Sequence, residues 1–243
     1  MFATDTRPTA TTTTNTTTTA AAPGTTERWF DSDKATAAAG LGFTTAVVIQ
    51  NMIRGRAPQV QASVTEITKY YNDNRAAESV LVALFVFGAF CLARFVGGLW
   101  TRLDREPDSV RRPARMGVLG SAGILALFTA MVAGEIALVV GTDKPELAAT
   151  VAPMWLLHNA IFSVLALFVA IALFGLSRAS AAAGLISSKV KAIAAVGATL
   201  LAVSTAFAPI TVDHFGPLSL VGLIGFIGWL TFVVAVSLRI RRD

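Results

Sequence analysis

The distribution of apolar residues along the chain predicts a bundle of membrane-spanning helices. Six apolar runs are separated by short polar segments, and each run is close to the roughly 20 residues that an α-helix needs to cross a bilayer core of about 30 Å. The runs cover residues 35–53, 79–100, 117–141, 154–176, 190–208 and 218–238. We therefore predict an all-α fold, a polytopic transmembrane helical bundle of six spans within residues 35–243.

The first run, residues 35–53, is the least apolar of the six. Thr36, Gly40, Gln50 and Asn51 dilute its hydrophobicity. Should this run not cross the membrane, five spans remain, and the N-terminus moves to the opposite side while the other helices keep their orientation. A five-span bundle is therefore the alternative to the six-span fold.

Residues 1–34 form a threonine-rich tail. The tail contains almost nothing that could enter a hydrophobic core, so we expect it to be disordered. It also lacks the charged start, apolar stretch and small-residue cleavage site of a secretory signal, and we do not interpret it as a removed leader.

The segment between the first two runs has a helical pattern of its own. Ser63 and Glu66 have the spacing of a capping box, and they precede apolar positions at helical intervals that include Tyr70 and Tyr71. This pattern predicts a short amphipathic helix over residues 64–74 on the outer membrane surface, with its tyrosines in the interfacial zone. Packing over the mouth of the bundle is a simpler interpretation of the same face than binding of a partner.

The composition supports a lipid environment and excludes several classes of function. Of the 243 residues, 54% are apolar and 14% are charged, whereas soluble proteins have about 25% charged residues. No soluble catalytic domain of the usual size, about 50 residues or more, fits between the spans. The net charge is +5, but Lys and Arg cluster at the ends of the apolar runs, so we expect no binding to nucleic acid.

The positions of Lys and Arg also predict the orientation, because cytoplasmic connections retain positive charge. Of the twenty Lys and Arg residues, fourteen fall on the side of the two termini and of the loop at 102–116, and five fall on the other side. Arg94 lies inside the second span. We predict that the N-terminus and the C-terminus are cytoplasmic. Cys91, the sole cysteine, lies within an apolar run and is expected to be a buried hydrophobe.

A further pattern resembles a group of uncharacterised multi-pass membrane proteins of actinobacteria. It consists of a first span, the sequence Gly55, Arg56, Ala57, Pro58, a helix ending in Tyr70, Tyr71, Asn74 and Arg75, a second span, and an inner loop rich in Arg and Pro. The resemblance implies a location in a bacterial plasma membrane. It implies no activity, cofactor or catalytic residue.

Ionisable residues inside the spans are the best functional candidates, because a charge at the bilayer centre costs about 2.5–3.5 kcal/mol on insertion scales. Arg94 lies seven residues before Thr101 and can reach the headgroups by snorkelling. Structural anchoring is its simpler role, and an ion pair or substrate contact is the alternative. Glu135 shares a helical face with Gly117, so we expect it to point into the bundle as a structural or functional carboxyl.

With this topology, several polar residues fall near the outer leaflet and are candidates for a ligand site or a proton relay: Glu135, His158, Asn159, Asp213 and His214. Carboxylates and imidazoles are also ligands for zinc, which makes His158, His214, Glu135 and Asp213 weak metal candidates. No His-x-x-x-His or Cys-x-x-Cys pair supports a metal, and nothing specifies a haem pocket between the histidines. We predict no cofactor. The simplest interpretation is that each polar residue is satisfied separately.

Small residues provide candidate surfaces for helix packing. Gly117 and Gly120 lie on one face of the third span, and Gly222, Gly225 and Gly228 recur every three residues in the sixth. Such residues allow close helix contact, and dimerisation through the sixth span is the more specific interpretation. The chain has no phosphate loop, nucleophile elbow or dinucleotide fingerprint, so we predict no catalytic residue.

These observations lead to three hypotheses for function. The first is an integral membrane protein that binds, transports or senses a small solute or ion through the outer-leaflet polar residues. The second is a membrane scaffold or assembly subunit, either a homo-oligomer or bound to another membrane protein, for which the lipid bilayer and the small-residue faces suffice. The third is an intramembrane metal-dependent hydrolase with Glu135 or Asp213 as its base.

Overall fold

A computed structural model describes residues 32–54, 57–211 and 217–242. Helices account for 89% of these residues, and no strand occurs among them. Six of the helices are long and apolar enough to cross a membrane. The predicted all-α, six-span fold is confirmed, and the chain is a multi-pass membrane protein. Most of the threonine-rich tail lies outside the described residues.

Five of the six spans are longer than the apolar runs that predicted them, because polar residues extend these helices at their ends, whereas α6 has the same length as its run. They are α1 (Asp33–Arg54), α3 (Arg75–Leu103), α4 (Asp108–Gly141), α5 (Ala148–Ala182), α6 (Ser188–Ala206) and α8 (Pro217–Arg242). Three shorter elements lie between them: α2 (Val64–Asp73), a 3-10 turn (Pro145–Leu147) and α7 (Ala208–Thr211).

The six spans form a closed ring. Each span packs against the next span along the chain, α8 packs against α1, and α5 also contacts α8. The ring has two ends, which we call the upper end (residues 54–75 and 141–148) and the lower end (residues 103–108 and 182–188). Helices that are neighbours in sequence are therefore neighbours in space, and residues at successive upper turns come close together.

Glycines bring α4 and α5 into close contact. A Cβ atom added at Gly117 would lie 2.7 Å from the backbone nitrogen of Leu176, and one added at Gly120 would lie 2.5 Å from that of Ala172. A real Cβ atom does not approach backbone so closely, so these two positions need glycine. The contact fixes the position of Glu135, which lies further along α4.

The glycines of α8 face α6. A Cβ atom at Gly225 would lie 2.8 Å from the carbonyl oxygen of Gly197, and one at Gly228 would lie 3.2 Å from the Cα of Gly197. Gly222 faces the hydroxyl of Ser204. In the described part of the chain, this small-residue face is thus covered by a helix of the same chain.

A tight turn joins α5 to α6 at the lower end. Gly184 has a φ of 72°, and the N–H of Leu185 donates to the carbonyl oxygen of Ser180 at 2.8 Å, which together form the helix ending that favours glycine. Ser187 then caps α6, because its hydroxyl accepts a hydrogen bond from the N–H of Val190. The end of α5 and the start of α6 are consequently held side by side.

Helix α2 covers the upper end of the bundle. Its capping box is present, since Ser63 Oγ accepts from the N–H of Glu66 at 3.2 Å and Glu66 Oε2 accepts from the N–H of Ser63 at 2.8 Å. Ile67 and Tyr71 are each 1% exposed and pack against Trp155 and its neighbours. The burial of Tyr71 and Ile67 agrees with the simpler interpretation of this face, packing over the mouth of the bundle, and the place of the helix at the membrane interface stays a prediction.

Candidate functional site

Glu135 and His158 meet inside the upper end of the bundle. Glu135 on α4 is 0% exposed and His158 on α5 is 2% exposed. Their closest atoms, Glu135 Oε2 and His158 Nε2, are 3.4 Å apart. The close packing of α4 on α5 brings together these two residues, which are 23 positions apart in the sequence.

Arg54, the last residue of α1, contacts both side chains. Its Nη2 atom lies 2.6 Å from Glu135 Oε2 and 2.6 Å from His158 Nε2. A guanidinium can only donate hydrogen bonds, so His158 Nε2 is the acceptor and the ring carries its proton on Nδ1. The imidazole is therefore neutral in this arrangement, and its Nδ1 is buried without a hydrogen-bond partner among the described residues.

Two tyrosines of α2 reach down to buried carboxyl groups. The Tyr71 hydroxyl donates to Glu135 Oε1 at 2.8 Å, and the Tyr70 hydroxyl donates to Glu78 Oε1 at 2.5 Å. Burial and the nearby carboxylates raise the pKa of both tyrosines above the ordinary value. Both hydroxyls therefore stay protonated and act as donors.

Glu78 brings a second carboxyl to the site. It lies in the first turn of α3, is 1% exposed, and its charge acts on Glu135. Its Oε1 accepts from Tyr70, whereas its Oε2 is buried without a hydrogen-bond partner among the described residues. We call the six residues around this contact the upper cluster: Arg54, Tyr70, Tyr71, Glu78, Glu135 and His158.

Trp155 closes one side of the upper cluster. Its ring is stacked on that of His158, with centroids 5.9 Å apart and planes at 4°, and it meets Tyr71 edge-on at 6.1 Å. Its indole N–H donates to the carbonyl oxygen of Gln59 at 3.2 Å. The indole therefore holds the segment before α2 against the bundle and keeps water from that side of the imidazole.

Water reaches the upper cluster at Tyr70. A surface groove of about 580 Å³ runs along α2, and Tyr70 lines it together with Gln59, Ala62, Lys69 and Asp73. The same tyrosine bonds to a buried carboxyl of the cluster. Tyr70 therefore connects the groove with the buried groups.

The remaining outer-leaflet candidates do not join the cluster in the described structure. Asn159 donates its side-chain N–H to the carbonyl oxygen of Trp155 at 2.8 Å, within its own helix. Asp213 and His214 lie outside the described residues, so their participation stays a prediction. The separate satisfaction of polar residues that we considered simplest fits Asn159 but does not fit Glu135 and His158.

Arg94 lies near the lower end, far along α3 from the upper cluster. Its Nη1 donates to the hydroxyl of Thr36 at 3.0 Å and its Nη2 to the carbonyl oxygen of Ser32 at 3.5 Å. These bonds tie the start of α1 to α3. They agree with the structural role we preferred for Arg94.

The sequence interpretation missed Arg54 and Glu78 as site residues. Both lie just outside the apolar runs, where a charge is usually a topology signal. A usable signal was present, because Arg54, Glu78 and Glu135 each lie near the upper end of successive spans, which must be neighbours if the loops are short. Tyr71 was recognised as part of an apolar face, but its burial depends on what covers that face.

The place between Glu135 and His158 is already taken by a cation. A metal bound by both residues would have to lie where the Arg54 guanidinium lies, within 2.6 Å of each. In the part of the chain that the structure describes, no group of three or more His, Cys, Asp or Glu side chains could hold a metal ion. The charge at this site is supplied by the protein itself.

No family model matches this chain, and neither a curated protein nor a solved structure matches it. A helical bundle does not by itself specify a function. We therefore base the proposed function on the chemistry of the upper cluster.

Proposed function

We propose that this membrane protein binds a proton in the upper cluster and responds to the proton concentration on the upper side of the membrane. The observation that carries the proposal is the burial of two neighbouring carboxyl groups, Glu78 and Glu135, of which Glu135 is the one paired with the cation Arg54 in the described structure. In this proposal the bound ion is H⁺.

The charge count of the cluster favours the uptake of one proton. With both carboxyls ionised and the imidazole neutral, the cluster has a net charge of −1; with one proton added, it is neutral. Burial of an uncompensated charge in a medium of low dielectric is costly. Glu78 Oε2 is buried without a hydrogen-bond partner among the described residues, and a proton on one of the two carboxyls would let it hydrogen bond with the other. We therefore infer that Glu78 and Glu135 together form a site for a single proton.

Tyr70 offers a route for that proton from water. Tyr70 lines the surface groove, and its hydroxyl donates to Glu78. A hydroxyl in this position can give its proton to the carboxylate and accept another from water, which leaves the tyrosine unchanged. The proton then lies next to Glu135 without having to cross the apolar part of the bundle.

Proton binding is linked to the attachment of α2 to the bundle. The helix is held at the site by two hydroxyl donors, Tyr70 and Tyr71, which both bond to carboxylates. Hydrogen bonds to an ionised acceptor are about twice as strong as those to a neutral one. Protonation of a carboxyl therefore weakens the attachment of α2. The other charged pairs near this helix, Lys69–Asp73 and Arg75–Asp143, lie on the exposed rim and not at the buried carboxyls.

The upper end faces the exterior of a bacterial plasma membrane in this proposal. Support comes from the basic residues of the lower end, where the loop after α3 and the C-terminal end of α8 carry clustered arginines. Six spans then place both termini in the cytoplasm. Labelling of intact cells by an impermeant maleimide at Thr65→Cys and not at Ser109→Cys, both in a Cys91→Ala background, is the result expected; the reverse pattern contradicts it.

Infrared difference spectroscopy tests the proton site directly. Between acidic and alkaline buffer, the reconstituted protein should show the carbonyl stretch of a protonated carboxyl, and Glu135→Gln or Glu78→Gln should abolish that band. Glu106→Gln, at an exposed position of the lower end, is the matched control and should retain it. A band that survives both cluster substitutions refutes proton binding at this site.

A cysteine at Ile67 tests the link to α2. Ile67 is 1% exposed beneath the helix, so a maleimide should label Ile67→Cys faster in acid, after correction for the pH dependence of thiol reactivity with exposed Thr65→Cys. Equal corrected rates at all pH values contradict the sensing part of the proposal while leaving proton binding intact.

A scaffold or assembly subunit is the second candidate. The observation that favours it is that the Arg54 guanidinium bonds to both Glu135 and His158 without an added ligand. A scaffold predicts a pH-independent infrared spectrum and a stoichiometric partner after purification in mild detergent.

A further inference from the structure

A pocket of about 540 Å³ opens at the lower end, between the start of α4, the end of α5 and the start of α6. Three basic side chains line it, Arg112, Arg178 and Lys191, together with the hydroxyl-bearing Ser188. Among the lining residues the acidic one is Asp108, which already pairs with Arg111 and Arg112. The pocket therefore has an excess of positive charge drawn from three different helices.

Arg178 lies where this pocket meets the lipid-facing surface. Its guanidinium carbon is 5.3 Å from the centre of the Phe174 ring, a cation–π geometry, and Phe174 is 41% exposed on the outside of the bundle. The apolar residues Pro113 and Ile186 also line the pocket. A ligand here would meet cations on one side and apolar surface on the other.

The start of α6 adds to the positive potential. Ser187 caps this helix by accepting from Val190, and Ser188 and Lys191 of the first turn line the pocket. The N-terminal end of a helix carries partial positive charge and favours anions. This contribution has the same sign as that of the three basic side chains.

We propose that this pocket binds a phosphate-bearing anion, for which the headgroup of an anionic phospholipid is the source that the geometry favours. Arginine matches the oxygens of a phosphate with two parallel donors, and basic pockets between spans are suited to lipid headgroups. Phe174 and Ile186 supply apolar surface that a lipid can cover. The proposal is independent of the upper cluster.

A pair of double variants tests this site. Arg178→Gln with Lys191→Gln removes two charges from the pocket, and Arg241→Gln with Arg242→Gln removes two charges from the same end of the molecule outside it. Native mass spectrometry of the purified protein titrated with phosphatidylglycerol or phosphatidylcholine measures the binding. We expect the pocket variant to lose about thirtyfold in affinity for phosphatidylglycerol, with little loss in the control variant.

Charge-conserving variants and a soluble probe complete the experiment. Arg178→Lys with Lys191→Arg should retain binding, which separates loss of charge from loss of fold. If glycerol 3-phosphate binds in lipid-free detergent and the protein shows no preference for phosphatidylglycerol over phosphatidylcholine, the pocket is a phosphate site whose ligand is a soluble phosphate compound. The proposal is overturned if the pocket and control variants lose affinity equally. It is also overturned if the protein neither prefers phosphatidylglycerol over phosphatidylcholine nor binds glycerol 3-phosphate.

Discussion

Replacement of Arg54 by methionine tests the electrostatic balance of the upper cluster. Methionine keeps most of the apolar stem of the side chain but removes the cation that Glu135 contacts at 2.6 Å. Glu135, which is 0% exposed, then loses that partner while Glu78, a second carboxyl that is 1% exposed, remains in the cluster. Removal of one member of a buried ion pair costs about 3–5 kcal/mol, so we expect the free energy of unfolding at neutral pH to fall by about that amount.

The opposite substitution, Glu135→Gln, should cost less. The guanidinium that it leaves behind belongs to a side chain that is 22% exposed, so water can solvate it, and Glu78 remains in the cluster. We expect a loss of about 1–3 kcal/mol. The double variant should lose less than the sum of the two single variants, with a coupling energy of about 0.5–3 kcal/mol, because the residues are in contact.

The cost of Arg54→Met should also depend on pH. A neutral carboxylic acid is cheaper to bury than a carboxylate, and carboxylates become protonated as the pH falls. Proton uptake by the folded variant therefore stabilises it in acid. The deficit relative to the wild type is expected to be largest at neutral and alkaline pH and to shrink as the pH is lowered.

Reversible unfolding in mixed micelles with increasing dodecyl sulfate, followed by circular dichroism at two pH values, measures these differences. The comparison needs the wild type, both single variants and the double variant under the same conditions. Additive losses that do not change with pH would show that Arg54 and Glu135 are not electrostatically coupled, and the account of the upper cluster given above would be refuted.

Three further predictions concern other contacts. Tyr71→Phe removes a hydrogen bond to a buried carboxylate and should cost about 1.5–3 kcal/mol in the same unfolding assay; no change would contradict that bond. Gly120→Ala should cost about 1–3 kcal/mol by overpacking, whereas Gly97→Ala, whose new Cβ would have no atom within 4 Å, should stay within about 1 kcal/mol of the wild type; equal effects would contradict the close contact. Hydrogen bonds from Ser63 lower the pKa of Glu66. The cap of α2 is therefore fully formed above the ordinary glutamate pKa and is lost as the pH falls through the lowered pKa. In a carboxyl NMR titration, Ser63→Ala should raise the pKa of Glu66.

The six spans could be predicted because the thickness of the bilayer core sets the length of a transmembrane helix. An apolar run near bilayer length has few alternatives to a transmembrane helix, and even the least apolar run became α1. The start of α2 was equally accessible, since Ser63 and Glu66 satisfy each other locally and need no tertiary contact to do so.

The composition of the upper cluster could be predicted only in part. Glu135 and His158 stand out as polar residues within apolar runs, but Arg54 and Glu78 lie at run ends, where water is the expected surrounding. Their burial arises because α2 folds over that end. The periodicity of α2 shows that it has an apolar face, but periodicity does not distinguish a protein surface from a lipid surface, so the sequence alone could not show that Tyr71 is buried against the bundle.

The closure of the ring by α8 against α1 has a consequence for the order of synthesis. Helix α1 is the least apolar of the six spans and is made before the other five, yet one of the two helices that flank it, α8, is made after the other five. Glu135, the partner of Arg54, follows it by 81 residues. Helix α1 therefore acquires its final neighbours only when α8 has been inserted, and a chain truncated before α8 leaves α1 half uncovered.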